Sequence, residues 1–540
     1  MRKPLRLLTL LAVAVAATGC EKDFLTEVPS DFVSPANFYK NEGDAIAAVN
    51  AAYATFITLP SPLSSSQYVG RNFWMLVEYP TEVATSRLSA ANERSLIGNY
   101  HEQFSSSHAY LEGVWQAAYS GINRANSVID RVPDVPMNDA RKAQIIGEAK
   151  FLRAVHYYWL AGLFGGVPLK LEETSSIGDE PPGRATATET WNQIAKDLTE
   201  AAAVLPVTWG ASDYGRATKG AALTLLGKAY LQSAAQVPSL SGNNQKALDT
   251  FKQVMGLGYT LDPNYGSLFT GQNERSKEII FSLINIRVSG LGGRITEWFS
   301  PRTSPDVFQG GSQNQFQAER LFYDSYAPTD VRKDGTWMTS FTNPNNGKTV
   351  TWVWGNSSNN GSSNYGSNGP VPRKYVDWGA ADGGAEEPDV ILLRYADVLL
   401  SAAEAINEVS GPSAEAYGYV NQVRARAKVP NLVAGLGKAA FKDSLFSDRR
   451  FELALEMHGI FDSRRNWPWA KARIEAGMAQ MSTLNKSPNQ SSTEKYDARP
   501  IGDKWLLYPI PARACELNQN LVQNPGWDDG ICKPSSGATQ

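Results

Sequence analysis

The sequence is short of the residues that most often carry chemistry. Its 540 residues include three cysteines and four histidines. No CxxC pair is present, which excludes a zinc or redox site built on cysteine. No HExxH, GxSxG, Walker A or GxGxxG pattern occurs, so the common zinc-hydrolase, serine-hydrolase and nucleotide-binding classes have no foothold. The 54 acidic residues show no local pairing that points to the two carboxylates of a glycosidase. The formal net charge is −3 and no basic tract stands out, so nothing calls for nucleic acid or an anionic membrane surface. No catalytic residue, metal site or cofactor is therefore expected.

The first residues read as a targeting segment. Arg2, Lys3 and Arg6 form a positive start, and Leu7 to Ala17 is apolar but too short to span a bilayer. The segment ends in Ala17-Thr18-Gly19-Cys20, small residues before a cysteine, as in lipoprotein processing. Lipoprotein signals usually carry Leu or Val where Ala17 stands. Residues 1–19 are read as a lipoprotein signal peptide and Cys20 as the lipidated residue, anchored firmly by its acyl chains. Cys515 and Cys532, 17 apart, remain. They are read as a disulfide closing a short loop, with two unrelated free thiols as the alternative.

Most of the chain has a helical pattern with short breaks. Asp44 to Thr58 carries a small-residue stripe at Ala47, Ala48, Ala51 and Ala54. Val114 to Val132 and Arg141 to Phe164 form a pair divided by Pro133 and Pro136. Thr218 suits the N-cap of a helix to Gln236, and Asn243 to Met255 follows. From Asp389, Leu392, Tyr395, Ala396, Leu399, Ala403 and Ile406 make one helix face. Gly411-Pro412 breaks it, and Ala416 to Ala427 makes a second. Two short helices joined by a tight turn suit a tetratricopeptide-like hairpin, although the strict 34-residue signature is absent. His156, among Tyr157, Tyr158 and Trp159, reads as a packed helix histidine.

Gly290 to Gly384 differs. It is dense in Gly, Ser, Asn and Pro, yet holds five of the fourteen tryptophans. Disordered segments are poor in aromatics, so an ordered binding or interaction surface is expected. Thr349 to Trp354 alternates with period two, which puts Val350, Trp352 and Trp354 on one side of a short strand. A flat ring offers apolar area at little rotamer cost, and sugar C–H faces stack on it. Trp115, Trp159 and Trp191 lie in helical patterns and are expected in the core. Asp377, Asp382, Glu386, Glu387 and Asp389 read as a solvated acidic loop.

Blocks along the whole chain resemble the SusD/RagB family. Cys20-Glu-Lys-Asp-Phe-Leu25 with Phe38-Tyr39-Lys40 is similar to the start of its mature members. Trp115 to Asn126, Glu148 to Ala154 and Phe164-Gly-Gly-Val-Pro-Leu169 resemble its first helical segments. Leu393-Arg-Tyr-Ala-Asp-Val-Leu-Leu400, Asn421 to Ala427, Arg449-Arg450 with Glu452 and Glu456, and Tyr508-Pro-Ile-Pro511 through Trp527 continue the likeness. Asp448 stands where the family usually has Glu, and Gly459-Ile460 where it has Arg-Trp. The spacing of Arg449, Arg450, Glu452 and Glu456 allows i,i+3 and i,i+4 pairs, a structural role.

The resemblance implies a mainly α fold: tetratricopeptide-like hairpins forming one body, with a loop-rich insertion carrying short strands. Its parts are an N-terminal helical part at 20–289, an insertion at 290–388 as ligand region, and a C-terminal helical part at 389–540. It also implies a non-enzymatic protein of polysaccharide utilisation, lipid-anchored in the outer membrane and facing the cell exterior. There it binds oligosaccharide and hands it to a SusC-like TonB-dependent transporter. A peptide-binding lid of the RagB type is the alternative, ahead of a surface glycosidase or a helical scaffold. Ligand residues of the family come from variable stretches, here about Phe73 to Phe104 and Arg287 to Trp378. By position and chemistry the candidates are Glu82, Arg87, Tyr100, Trp298, Trp352 and Trp354.

Overall fold

Local sequence signals start and stop the main helices. Asn41 accepts from the Asp44 amide and opens α1 (Glu42–Tyr53). Asn138 caps α3 (Asp139–Phe164), which stops at Gly165 with φ 77°, a conformation glycine adopts without strain. Thr186 and Glu189 form a capping box at the start of α4 (Ala187–Val204). Thr218 caps α5 (Lys219–Gln236), as expected from the sequence. A computed structural model describes residues 38–56, 68–86, 93–174, 181–288, 292–300, 313–342, 347, 349–351, 369–380, 385–484 and 499–534.

The chain is mainly α. The helices α2 (Ala109–Arg131), α3, α4, α5 and α6 (Asn243–Met255) pack in succession, each against the next. The hairpin of α7 (Tyr395–Ser410) and α8 (Ala414–Arg426) continues this body against α6. The helices α9 (Lys438–Leu453), α10 (Gly459–Arg465) and α11 (Trp467–Leu484) complete it. Trp159 and Trp191 lie in one continuous core, and Trp115 at its edge is 8% exposed. His156 is buried there, stacked on Phe56 at 4.4 Å and facing Gly121, where a Cβ would come within 2.1 Å of its Nε2. Burial lowers its pKa to about 3, so it is a neutral packing residue, as read from the sequence.

Among the described residues four two-stranded antiparallel pairs form, and three of them join segments apart in sequence. β1 (Ala84–Ser86) pairs with β3 (Phe316–Ala318), Ala84 opposite Ala318. β2 (Ile279–Leu283) pairs with β8 (Val390–Arg394), β4 (Trp337–Met338) with β7 (Val371–Pro372), and β5 (Ser340–Thr342) with β6 (Thr349–Thr351). β6 holds Val350 of the expected strand. Trp352 and Trp354 lie outside the described residues.

Three sequence expectations need correction. The helix expected from Asp389 begins at Tyr395; Val390 to Arg394 is a strand buried on both faces. A continuous apolar run fits a buried strand as well as a helix, and the partner β2 decides. In α1 the buried face is Ala45, Ala48, Val49 and Ala52, with Ala47 and Ala51 exposed. The acidic loop is not solvated: Asp377, Glu386 and Asp389 are buried. Burial raises Glu386 to about 8 and Asp389 to about 7. Asp382 lies outside the described residues.

Arg449, Arg450, Glu452 and Glu456 are structural, but through partners far in sequence rather than helical neighbours. Arg449 bonds Asp462 and Asp397, each at 2.9 Å, and Arg450 bonds Glu82 at 3.1 Å. Arg394, fully buried, holds Glu278 at 2.7 Å, and Glu452 and Glu456 at 2.6 Å each. Lys374 from the insertion adds a 2.6 Å bond to Glu456. Its cations hold Glu456 below the usual carboxylate range against the opposing effect of burial. Removing one member of such a network strands buried charge, so it fixes how insertion and helices meet.

Candidate functional site

A cluster of two arginines and two aromatic rings forms where residues 71–110 meet residues 298–315. Tyr68–Asn72 is a single π-helical turn leading into a short helix, Phe73–Glu78. Such turns often mark functional sites because they re-aim a side chain. This one projects Arg71 between the rings of Tyr110, at 5.5 Å, and Trp298, at 5.3 Å. Arg71 Nε also donates to Asn72 Oδ1 at 2.9 Å.

Arg94, on the short helix Glu93–Gly98, approaches from the other side. Its guanidinium lies 5.8 Å from the Trp298 ring centre. Its Nε donates to the Tyr110 hydroxyl at 3.0 Å and its Nη1 to Gln315 Oε1 at 2.9 Å. Tyr110, Trp298 and Gln315 are buried, whereas Arg71 and Arg94 are half-buried. The β1–β3 pair sets the two stretches side by side. Planar donors locked against rings suit hydroxyl-rich or anionic ligands: the fork is pre-oriented, so less entropy is lost on binding.

Of the six residues expected from the sequence, the structure brings Trp298 into this cluster. The ring is 6% exposed and lies against the two guanidinium groups, so it positions arginines. Glu82 is buried with Oε1 on Arg450 Nε. Tyr100 is buried, donates to Pro80 O at 2.7 Å and meets Trp505 edge-on at 4.7 Å. Arg87, Trp352, Trp354 and Cys20 lie outside the described residues. Arg71 was missed by the sequence reading: it precedes the stretch marked as variable, and the rings that orient it are remote in sequence. Elsewhere in the insertion, Trp337 is buried and Trp378 stacks on Phe341 at 4.0 Å. Cys515 and Cys532 are bonded, with Cα atoms 5.1 Å apart.

Comparisons with known proteins agree with this architecture. The profile described as the SusD family matches residues 228–527. One described as "starch-binding associating with outer membrane" matches residues 63–231. SusD-like protein P2 of Formosa agariphila is 25% identical over 547 residues, covering 96% of this chain and 99% of that protein. A SusD homologue from Bacteroides thetaiotaomicron superposes with a TM-score of 0.77 at 24% identity, over 91% of this chain and 98% of that one. A laminarin-binding SusD-like protein gives 0.69 at 22%, over 90% of this chain and all of that one. The chain belongs to the SusD family.

Proposed function

We propose that this protein captures oligosaccharides at the cell surface and delivers them to a SusC-like TonB-dependent transporter, without catalysis. Cys20 is its lipid anchor, which holds it on the outer membrane facing the exterior. Residues 290–388 form the ligand region, together with the stretch that carries Arg71 and Arg94. The observation that carries the reading is the Arg71–Trp298–Arg94 arrangement: half-buried guanidinium forks held by buried rings. Such forks donate several oriented hydrogen bonds to sugar hydroxyls. Arg87, Trp352 and Trp354 belong to the same ligand surface in this proposal.

The test is calorimetric titration of the full chain with a broad panel of glycans and of peptides. A glycan that releases heat, with affinity lost in Arg71 and Arg94 variants, supports the reading. Binding of peptides and of no glycan would replace it with a peptide-binding lid.

A further inference from the structure

A cavity built from residues outside this cluster lies at the C-terminal end of α3. It measures about 460 Å³, within the ~300–1,000 Å³ range of small-molecule sites. Arg184, Arg464 and Lys504 line it, against one carboxylate, Asp503. Asp503 accepts from Trp467 Nε1 at 3.1 Å. Ala187, the first residue of α4, also lines it, and the exposed Glu189 is turned onto its own cap, Thr186.

The two arginines have a structural task that leaves their charge largely uncompensated. Arg184 donates to Phe164 O, Gly166 O, Val522 O and Asn524 Oδ1. Arg464 donates to Gly162 O, Leu163 O and Trp505 O. They thus satisfy the orphan carbonyls of the last turn of α3. A helix end carries roughly half a negative charge, so it offsets about one quarter of two guanidinium groups. Neither arginine forms an ion pair with a carboxylate among the described residues, unlike Arg394 or Arg449. Burial accordingly lowers Arg184 and Arg464 to about 10, whereas the carboxylates around Arg394 raise it.

Donors remain. Four of the five N–H groups of Arg184 are bonded. Arg464 uses both on Nη1 and one on Nη2, leaving one on Nη2; its Nε–H is unpartnered but fully buried. Lys504, exposed at the rim, holds its ammonium 4.2 Å from the Trp527 ring centre.

We infer that this cavity binds an oxyanion, a carboxylate, sulfate ester or phosphate carried on a sugar-sized molecule, with Arg184, Arg464 and Lys504 supplying the charge. The site is separate from the arginine–tryptophan cluster and would give the protein a preference for acidic ligands. The excess of cations in the wall is what a neutral ligand would not need, and charge-assisted bonds from a half-buried arginine are the strong ones.

The test is calorimetry on the full chain with inorganic sulfate, inorganic phosphate, glucuronate and, as neutral control, glucose. At least one oxyanion is expected to bind with a Kd of about 1 mM or tighter, weakening as salt rises, while glucose gives no heat. Sulfate or phosphate alone identifies an ester ligand, and glucuronate alone a uronic acid. Lys504→Glu and Ala235→Glu, both at exposed positions of the wall, are expected to weaken binding by about tenfold or more. Ala440→Glu, exposed on α9 and outside the cavity wall, is expected to leave it unchanged. Absence of binding by every oxyanion overturns the inference, as does undiminished binding in Ala235→Glu. Should Lys504→Glu fail to fold, Ala235→Glu decides.

Discussion

Replacing Arg71 by Met separates ligand binding from folding. Methionine keeps an unbranched apolar stem between the Tyr110 and Trp298 rings and removes the charge and donors. In the free protein the losses include two cation–π contacts, at 5.5 and 5.3 Å, and the Nε hydrogen bond to Asn72 at 2.9 Å. At about 0.5–1 kcal/mol for each cation–π contact and about 0.5–1.5 kcal/mol for the hydrogen bond, stability falls by about 1.5–3.5 kcal/mol. Unfolding entropy of about 2.1 cal/mol/K per residue over roughly 500 residues gives ~1 kcal/mol/K, so the melting temperature drops by about 1.5–3.5 °C. The ligand loses a charge-assisted hydrogen bond, worth about 1.5–3 kcal/mol. Arg71 is half-buried, so the lower end applies, and Kd is expected to rise about tenfold. Titration of wild type and variant with a glycan that binds, beside scanning calorimetry, reads both quantities. A variant that melts within about 4 °C of wild type and binds with unchanged Kd would refute the assignment of Arg71 to the ligand site.

Arg394→Met is expected to cost about 3–5 kcal/mol, because Glu278, Glu452 and Glu456 lose their shared partner; scanning calorimetry checks it. Glu319 is buried with Oε2 unpartnered, and burial, with some help from Glu82, raises its pKa to about 8. The folded state therefore holds this proton between about pH 4.5 and 8 while the unfolded state has lost it, so stability falls as pH rises through that window. Glu319→Gln is expected to lessen the dependence of melting temperature on pH from about 5 to 8, with Glu386 and Asp389 contributing to the remainder. Cys532→Ser opens a loop 17 residues long and is expected to cost about 3 kcal/mol, measured by chemical denaturation under non-reducing conditions.

How far the sequence could be read depends on the range of the forces involved. Local signals were legible: the helix Asn243–Met255 has its expected bounds, and Thr218 caps as expected. The end of α3 at Phe164 was marked by Gly165 and Gly166. Long-range choices were not. Val390 to Arg394 became a strand because β2, over a hundred residues earlier, supplies a ladder. Glu452 and Glu456 found Arg394 rather than each other's helix neighbours. In the candidate site, Trp298 was flagged by residue type and region. Its role as a support for arginines was invisible, since Arg71 and Arg94 reach it from separate turns. Glu82 looked like a ligand carboxylate until Arg450 appeared beside it.

The most direct measurement is calorimetric titration of the folded, full-length protein against a broad glycan panel, with the Arg71→Met variant in parallel. The account predicts saturable binding of at least one oligosaccharide class, weakened about tenfold in the variant. Silence across every glycan from a protein that melts cooperatively would contradict it.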